Sequence, residues 1–286
     1  MELEKIKRVM AASRLYEVVM MSGFVMVGCW WATTKNSIDW QKALWLWIGV
    51  IFYTLSIYNL NAYTDYEYDS HNPRLKKLGN IKKWQYGTGV IVLFIACELI
   101  FYKLNIQLVW TGLAGFGLWC LYYLPRIKLK AVMLGGTFIH LIGGMLHFHF
   151  GWLAFKPVSA ESVLCSLHVS LLLCAGHINH ETIDYESDKE HGIKTTTVRI
   201  GVEKAWVLHI ALFTASAITW ICLYMNHYMN MLSFLTLLSA YVVSAAWRLR
   251  AGILNRKIQP EQWQMVYRYC FATAAGVLIF EKIIWI

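Results

Sequence analysis

Residues 41–69 read QKALWLWIGVIFYTLSIYNLNAYTDYEYD, an apolar run that ends in an asparagine and two aspartates. The run from 41 to 61 is about 20 residues long, which is the length an α-helix needs to cross the hydrocarbon core of a bilayer. Asn61, Asp65 and Asp69 are spaced four residues apart, so on a helix they lie on one face. Carboxylates near a bilayer core are costly and repel one another. The stretch therefore predicts a membrane-spanning helix that ends at a site for a positive partner.

Eight further apolar runs of similar length follow the same rule. The chain has 286 residues and is 58% hydrophobic, whereas a soluble domain is about half apolar. The sequence therefore predicts an all-α fold, a polytopic membrane helical bundle of about nine transmembrane helices. No composition shift interrupts it, so we expect a single domain over residues 1–286. The predicted spans are 13–33, 41–61, 86–103, 106–124, 131–151, 161–183, 203–225, 230–249 and 264–285.

The basic residues are distributed unevenly between the two sides of this predicted bundle. The rich side carries the N-terminus and the connections that follow the even-numbered spans, and the positive-inside rule places that side in the cytoplasm. With nine spans, the C-terminus then lies on the opposite side. Only five of the 26 Lys and Arg residues fall on the poor side, namely Lys35, Lys42, Lys103, Lys156 and Lys282.

Composition also argues against two classes of function. Membrane topology accounts for most of the net charge of +9, and attraction to anionic membrane lipid adds a further use for it, so the charge requires no nucleic acid. The seven cysteines fall inside apolar runs and form no CxxC pair, which argues against a zinc site or a disulfide framework.

A second copy of the acidic pattern lies in the other half of the chain. HETIDYESD at residues 180–188 matches the first stretch, residues 61–69, in the pattern Asp-Tyr-Glu-x-Asp. Each copy ends an even-numbered predicted span and is followed by a basic stretch, so both are expected on the cytoplasmic side. We therefore expect two repeats in the same orientation.

Two carboxylate pairs flanked by cations suit a diphosphate that is bridged by metal ions. Mg²⁺ takes oxygen ligands, and proteins commonly hold it with one or two carboxylates plus phosphate oxygens. Basic side chains then contact the diphosphate directly. The alternative is that the acidic helix ends face solvent and pair with nearby lysines, but two matched copies favour the metal. The expected Mg²⁺ ligands are Asp65, Asp69, Asp184 and Asp188, and the expected diphosphate contacts are Arg74, Lys130 and Lys194.

Taken together, these motifs resemble those of the UbiA superfamily of intramembrane prenyltransferases. NAYTDYEYD (61–69) is similar to that family's first motif, NxxxDxxxD. DYESDKEHGIKTTTVRIG (184–201) is similar to its second, DxxxDxxxGxxT followed by a valine-rich stretch and a glycine. YYLPRIKLK (122–130) resembles a further Tyr-x-x-Pro segment of the family. The nine-span layout fits as well, so the resemblance covers nearly the whole chain.

The resemblance implies a Mg²⁺-dependent prenyltransferase that moves an isoprenyl chain from its diphosphate to a lipophilic acceptor, with an aromatic acceptor favoured. Basic residues stabilise the departing diphosphate as the C–O bond ionises, and aromatic faces shield the allylic cation. Asn61 joins the four aspartates at the metal and diphosphate. Lys128 is the alternative to Lys130, because the local alignment can slip, and Tyr123 is one of the aromatic residues nearest the motifs.

His180 stands where the first motif has Asn61. Both His177 and His180 lie within about two helical turns of Asp184. Either of them can act as the base that takes a proton from the acceptor, or can hydrogen-bond at the cavity wall.

Two other functions use the same residues. In a terpene cyclase of the same scaffold, the cation is attacked by its own alkene instead of by an acceptor. In a cation or lipid transporter, the acidic motifs bind Mg²⁺ without releasing diphosphate. The sequence alone leaves these alternatives open, with the prenyltransferase favoured.

Overall fold

Long helices account for most of the computed structural model, which describes residues 15–33, 38–69, 82–253 and 259–284. In chain order the α-helices are α1 (Leu15–Ala32), α2 (Trp40–Thr64), α3 (Tyr66–Asp69), α4 (Lys83–Leu104), α5 (Ile106–Tyr123), α6 (Gly135–Leu153), α7 (Ala160–Ile183), α8 (Tyr185–Glu190), α9 (Thr196–Ile200), α10 (Val202–Met225), α11 (Met231–Ile253) and α12 (Pro260–Ile284). A single 3₁₀ turn, Leu129–Ala131, lies between α5 and α6.

The all-helical fold class is confirmed. Within the described ranges, nine of the helices have 18 to 25 residues, and each begins and ends within four residues of a predicted span. Five of these helices are long and apolar enough to cross a membrane, and the protein is an integral membrane protein. The five are Trp40–Thr64, Lys83–Leu104, Ala160–Ile183, Val202–Met225 and Met231–Arg250.

Local sequence signals explain several of the helix ends. Asp39 caps α2 by accepting a hydrogen bond from Lys42 N at 2.9 Å, and Asn105 caps α5 by accepting one from Gln107 N at 2.9 Å. Side-chain acceptors at these positions satisfy N–H groups that have no partner within the helix. Helix α5 ends at Tyr123 because the residue before Pro125 is disfavoured in the helical conformation.

Two compact units divide the chain. The first holds the described residues up to Lys128 together with 146–157, and the second holds 129–145 and the described residues from 158 onward. The first acidic motif belongs to the first unit and the second motif to the second. The expectation of one domain built from two repeats stays a prediction.

The first unit is held together by stacked aromatic rings and by close helix packing. Phe101 of α4 stacks on Phe150 of α6 with ring centroids 4.9 Å apart, and Tyr53 of α2 meets the same ring edge-on at 5.0 Å. Such pairs stabilise a core beyond the area that they bury. Helices α1 and α6 approach each other through Gly28 and Gly151, which have backbone atoms of the partner helix where a side chain would stand.

In the second unit, buried histidines join the long helices. His209 of α10 lies with Nδ1 2.7 Å from the carbonyl oxygen of Ala175 on α7, while Trp263 of α12 donates to its Nε2 at 2.8 Å. Because Nε2 accepts, Nδ1 carries the proton and donates. His168 and Tyr241 both lie within 3.0 Å of Ser216 atoms in a similar way. These contacts satisfy polar groups that are buried inside the unit.

Glu98, in α4 of the first unit, is a buried polar residue whose hydrogen-bonding groups are not satisfied in this way. Both of its carboxylate oxygens are buried, lie where a side chain at position 112 of α5 would stand, and find no hydrogen-bond partner among the described residues. A buried polar group without a partner costs about 1–3 kcal/mol. We therefore expect Glu98→Met to raise the free energy of unfolding by an amount of that order. Thermal unfolding in detergent measures it, and a clear loss of stability would show that Glu98 has a partner.

Candidate active site

Asp65 occupies the C-terminal cap of α2, where the first acidic motif begins. Its backbone N–H donates to the carbonyl of Asn61 at 2.9 Å, and Thr64 Oγ1 donates to the same carbonyl at 3.0 Å. The chain then forms the short helix α3, which carries Asp69. The long helix thus ends at the first aspartate, and Asn61 and Asp69 lie on two different helices. The side chain of Asp69 lies outside the described residues.

Asp184 has the corresponding place in the second motif. It caps α7, and its backbone N–H donates to the carbonyl of His180 at 3.0 Å. The short helix α8 follows and carries Asp188, whose N–H donates to the Asp184 carbonyl at 2.8 Å. Asp184 Oδ2 lies 3.4 Å from His180 Nε2, and both side chains are largely open to solvent, 44% and 61% exposed.

The two motifs, each within its own unit, therefore share one local architecture. In both, the first aspartate ends a long helix with a backbone N–H to the residue four positions earlier. In both, its φ and ψ leave the helical region in the same way, at −98° and 11° for Asp65 and −88° and 2° for Asp184. A short helix then carries the second aspartate. The sequence match thus extends to backbone conformation.

Three consecutive threonines organise the segment after the second motif. The Thr195 hydroxyl hydrogen-bonds to the carboxylate of Asp188. The Thr196 hydroxyl accepts from the backbone N–H of Leu134 at 3.0 Å. The backbone N–H of Thr197 donates to Glu181 Oε2 at 2.9 Å. Together they join the short helix α8, the turn that precedes α6 and the end of α7.

Gly192 lets the chain turn back toward this threonine segment. Its φ is +70°, a conformation that glycine adopts without steric cost. It follows His191, the C-cap residue of α8, a position where glycine is common at the end of a helix. The Asp188 carbonyl then accepts from Ile193 N–H at 2.8 Å. The glycine of the second motif therefore serves the loop geometry.

Two predicted diphosphate contacts, Lys130 and Lys194, lie on segments that Arg199 links. Arg199 Nε donates to the carbonyl of Lys194 at 3.1 Å, and its Nη2 donates to the carbonyl of Ala131 at 3.4 Å. Lys130 is part of the 3₁₀ turn, and its ammonium attracts the carboxylate of Asp188. Within the second unit, the structure therefore groups Lys130 with Asp188 and orders the backbone at Lys194.

Burial and neighbouring charges both act on the carboxyl group of Asp188. Partial burial raises its pKa to about 6, and the negative charges of Asp184 and Glu181 add to this effect. Lys130 and the hydroxyl of Thr195 act in the opposite direction. Asp184 and Asp188 repel each other at this helix end, and a bound cation would relieve that repulsion.

This pKa predicts how Mg²⁺ binding depends on pH. The carboxyl group of Asp188 is mostly ionised at pH 7 and mostly protonated at pH 5, and a protonated carboxyl group is a poor metal ligand. We therefore expect Mg²⁺ affinity to fall as the pH drops through about 6. The rise in melting temperature on adding Mg²⁺ at several pH values measures this.

Asp188→Asn is the control for this experiment, since it removes the titrating group and should flatten the pH dependence between pH 5 and 7. An unchanged Mg²⁺ response of the wild-type protein across pH 6 would contradict the assignment of Asp188 as a ligand.

The remaining predicted residues lie in varied surroundings. Tyr123 is buried in the core of the first unit, where its ring stacks on Trp119 with centroids 5.9 Å apart. Lys128 is half-buried and has a positive φ of 42°. Asn61 is half-buried at the end of α2. Arg74 lies outside the described residues. The proposed roles of these residues remain predictions.

The donor set of the second motif fits Mg²⁺. Among the described side chains, no group of three or more His, Cys, Asp and Glu residues is placed to hold a metal ion. Mg²⁺ is, however, commonly bound by one or two carboxylates that are completed by phosphate oxygens and water. Asp184 and Asp188 offer such a pair, and Asp184 is accessible to solvent.

Sequence reasoning missed Glu181 and the threonines as organising residues. Both lie within the quoted motif stretches 180–188 and 184–201, where the DxxxD pattern itself involves only the aspartates. Their signal was present in the run Thr195–Thr197, since threonine before a helical segment is a common N-cap. Thr195 indeed caps α9, accepting from Val198 N–H at 3.4 Å.

Comparison with known proteins gives a consistent result. A model of the UbiA prenyltransferase family matches residues 21–272. A digeranylgeranylglyceryl phosphate synthase structure is similar, with a TM-score of 0.74, 20% identity, and coverage of 98% of this chain and 99% of that chain. So is a UbiA homologue from Archaeoglobus fulgidus bound to DMAPP and Mg²⁺, with a TM-score of 0.75, 17% identity, and coverage of 98% and 100%.

A UbiA homologue from Aeropyrum pernix K1 has the same fold at a TM-score of 0.71 and 16% identity, with 92% of this chain and 98% of that chain covered. No curated protein matches the chain. At these identities the solved structures show a shared fold, and the family match rests on the residues 21–272.

Proposed function

The chain belongs to the UbiA prenyltransferase family, and we propose that it is a Mg²⁺-dependent enzyme that moves an isoprenyl chain from its diphosphate to a lipophilic acceptor, with an aromatic acceptor favoured. The observation that carries this proposal is the matched pair of helix ends. Asp65 and Asp184 both end a long helix through a backbone N–H, and both are followed by a short helix with a second aspartate.

The residues that would hold the metal are Asp65 and Asp69 in the first motif and Asp184 and Asp188 in the second. When bound, Mg²⁺ supplies positive charge to the diphosphate oxygens as the leaving group departs. The described carboxylates of the second motif support this role, because they repel one another without a cation. The A. fulgidus homologue was solved with DMAPP and Mg²⁺ and with GPP and Mg²⁺, which supports an isoprenyl diphosphate as donor.

The basic residues of the chain act on the leaving group. The bond between the allylic carbon and the diphosphate oxygen breaks, and its electron pair leaves with the diphosphate. Lys130 and Lys194, and Arg74 from the first half of the chain, stabilise the added negative charge by charge-assisted hydrogen bonds. Lys128 is the alternative to Lys130, and Asn61 contacts the diphosphate beside Asp65.

The acceptor then supplies the electron pair of the new bond to the allylic carbon, and it loses a proton. His180 is the candidate base, because it is exposed and lies 3.4 Å from the carboxylate of Asp184. Tyr123 is proposed as one of the aromatic residues near the cation.

Topology follows from the charge distribution. We place the N-terminus and both acidic motifs at the cytoplasmic face, and the C-terminus at the opposite face. The donor diphosphate is then bound from the cytoplasm, while the isoprenyl chain and the acceptor enter from the membrane lipid.

A donor assay tests the proposal. Purified protein in detergent receives geranyl, farnesyl or geranylgeranyl diphosphate with Mg²⁺ or with a chelator, alone and with an acceptor. The acceptors are a phenolic quinone precursor and a prenylated glyceryl phosphate, the class that the product name of one relative indicates. Released diphosphate and the lipid extract are measured, the extract by mass spectrometry.

Mg²⁺-dependent diphosphate release that requires an acceptor, with a prenylated acceptor in the extract, is the expected result. A cyclic hydrocarbon formed without acceptor would show a terpene cyclase instead. Binding of Mg²⁺ with no diphosphate release under any condition would favour a transporter.

A further inference from the structure

Glu181 is a buried carboxylate that makes contacts on two sides at the end of α7. Its Oε2 accepts a hydrogen bond from the backbone N–H of Thr197 at 2.9 Å, and its Oε1 lies 3.1 Å from Nε2 of His177. The side chains of Glu181 and His177 are only 6% and 8% exposed. Glu181 is therefore far less accessible than Asp184, the neighbouring carboxylate in the motif.

His177 is itself fixed in place. Its ring stacks on that of His140, with centroids 3.9 Å apart and an interplanar angle of 14°. His140 Nδ1 lies 2.8 Å from the carbonyl oxygen of Gly136. At Gly136 a Cβ atom would stand 2.5 Å from His177 Nε2, so helix α6 packs on the histidine through this glycine. The Glu181 carboxylate thus meets a rigid partner.

The bond between Glu181 and Thr197 closes a loop. Glu181 comes one helical turn before Asp184, and Thr197 comes after Lys194, so this single contact spans the segment that carries both aspartates and the lysine. The same segment is tied internally, because the hydroxyl of Thr195 contacts the carboxylate of Asp188. Fixing the two ends of a loop limits the positions open to the residues within it.

We propose that Glu181 is a positioning residue that closes the loop of residues 181–197 and so holds Asp184, Asp188 and Lys194 in the arrangement that binds the Mg²⁺–diphosphate. This inference rests on the proposed function. Glu181 acts through the hydrogen bond to Thr197, because both of its oxygens face protein groups. Side chains that orient metal ligands typically change metal affinity or activity by about 10–100-fold when removed.

Two conservative variants separate hydrogen bonding from charge. Glu181→Gln keeps the length and the acceptor oxygen for Thr197 N–H, and its amide can donate to His177 Nε2. Glu181→Asp keeps the charge but is shorter by one C–C bond, about 1.5 Å, so it cannot reach both partners. The inference predicts that E181Q binds the Mg²⁺–diphosphate nearly as tightly as the wild type does, and that E181D binds it more weakly.

Three readouts are measured for each variant. Hydrogen–deuterium exchange of the peptide around Thr197 reports whether the hydrogen bond between Thr197 N–H and Glu181 is formed. The Mg²⁺-dependent rise in melting temperature with inorganic pyrophosphate reports binding without turnover. The kcat and KM for the donor report the reaction. The matched controls are Glu190→Gln and Glu190→Asp, which change an exposed carboxylate on the adjacent α8.

For E181D we expect faster exchange at Thr197, Mg²⁺–pyrophosphate binding weakened by about 10–100-fold and a donor KM raised by a similar factor. E181Q and both controls should stay close to wild type. If E181Q is impaired and E181D is not, Glu181 acts through its charge and the inference is wrong. It is also wrong if E181D lowers only the melting temperature and leaves binding and KM unchanged.

Failure of the proposed function looks different. In that case the wild-type protein itself shows neither Mg²⁺-dependent pyrophosphate binding nor release of diphosphate from any donor.

Discussion

Replacing Asp65 by asparagine should reduce diphosphate release from the donor by about 100–1,000-fold, the usual loss when one preorganised stabilising group is removed. The substitution keeps the size of the side chain but removes the negative charge that a Mg²⁺ ligand needs. The fold should survive, because Asp65 caps α2 through its backbone N–H, which asparagine also has. Diphosphate release, thermal unfolding and Mg²⁺ binding are measured on the same preparation.

Glu67→Gln is the matched control for this variant. Glu67 lies two residues further along the same motif, is 88% exposed, and pairs with Lys83 at 3.2 Å on the surface. Exposed ion pairs contribute little to stability, so E67Q should keep wild-type turnover and stability.

Asp184→Asn provides the test in the second motif. Asp184 also caps its helix through the backbone, so D184N should lose activity as D65N does while the melting temperature changes little. Retention of more than roughly a tenth of the wild-type turnover in D65N, a loss well below that of a stabilising group, would remove Asp65 from the metal site.

The fold was predictable from the sequence because one physical rule governs most of it. A helix that crosses a bilayer must be apolar over about 20 residues, so hydropathy alone locates it. The capping residues Asp39 and Asn105 and the helix-ending Pro125 then fix several helix ends to within a few residues. The acidic motifs were found in the same way, since a repeated pattern of charge at the ends of apolar runs is visible without any coordinates.

The interior of the candidate site was not predictable from spacing. Thr197 meets Glu181, and Leu134 meets Thr196, only after distant segments have packed together. The break in the helix at Asp65 was not predictable either, since a regular spacing of four residues gives no sign of a cap. The histidines show the same limit: His209 lies on an apolar run, and its contacts with Ala175 and Trp263 come from two other helices.

The contacts made by individual glycines were likewise not predictable from the sequence. Small residues in a membrane span permit close approach of helices, and in the first unit the backbones of α1 and α6 meet at Gly28 and Gly151. The sequence offers no reason to prefer Gly28 over Gly23, one α-helical turn and a half earlier. Only the structure shows that backbone atoms surround the first and open space surrounds the second.

Gly151→Val should prevent α1 from packing on α6 and so abolish the folded first unit. A Cβ atom at residue 151 would overlap the carbonyl oxygen of Val25 and stand 2.5 Å from the backbone nitrogen of Cys29. No rotation of a side chain relieves a clash with backbone, so the helices must separate. Even Gly151→Ala should lower the free energy of unfolding by about 1–3 kcal/mol or more, the cost of overpacking a filled core.

Gly23→Ala is the control of opposite sign. No atom lies within 4 Å of the position that its Cβ would occupy, and alanine is favoured over glycine in a helix by about 1 kcal/mol. G23A should therefore match or exceed the wild type in thermal unfolding, while G151A melts earlier and G151V is recovered only as aggregate on size exclusion. If G151A is as stable as G23A, α1 and α6 are not in backbone contact. Because D65N is expected to leave the fold intact and G151V to destroy it, the two sets of variants separate loss of chemistry from loss of structure.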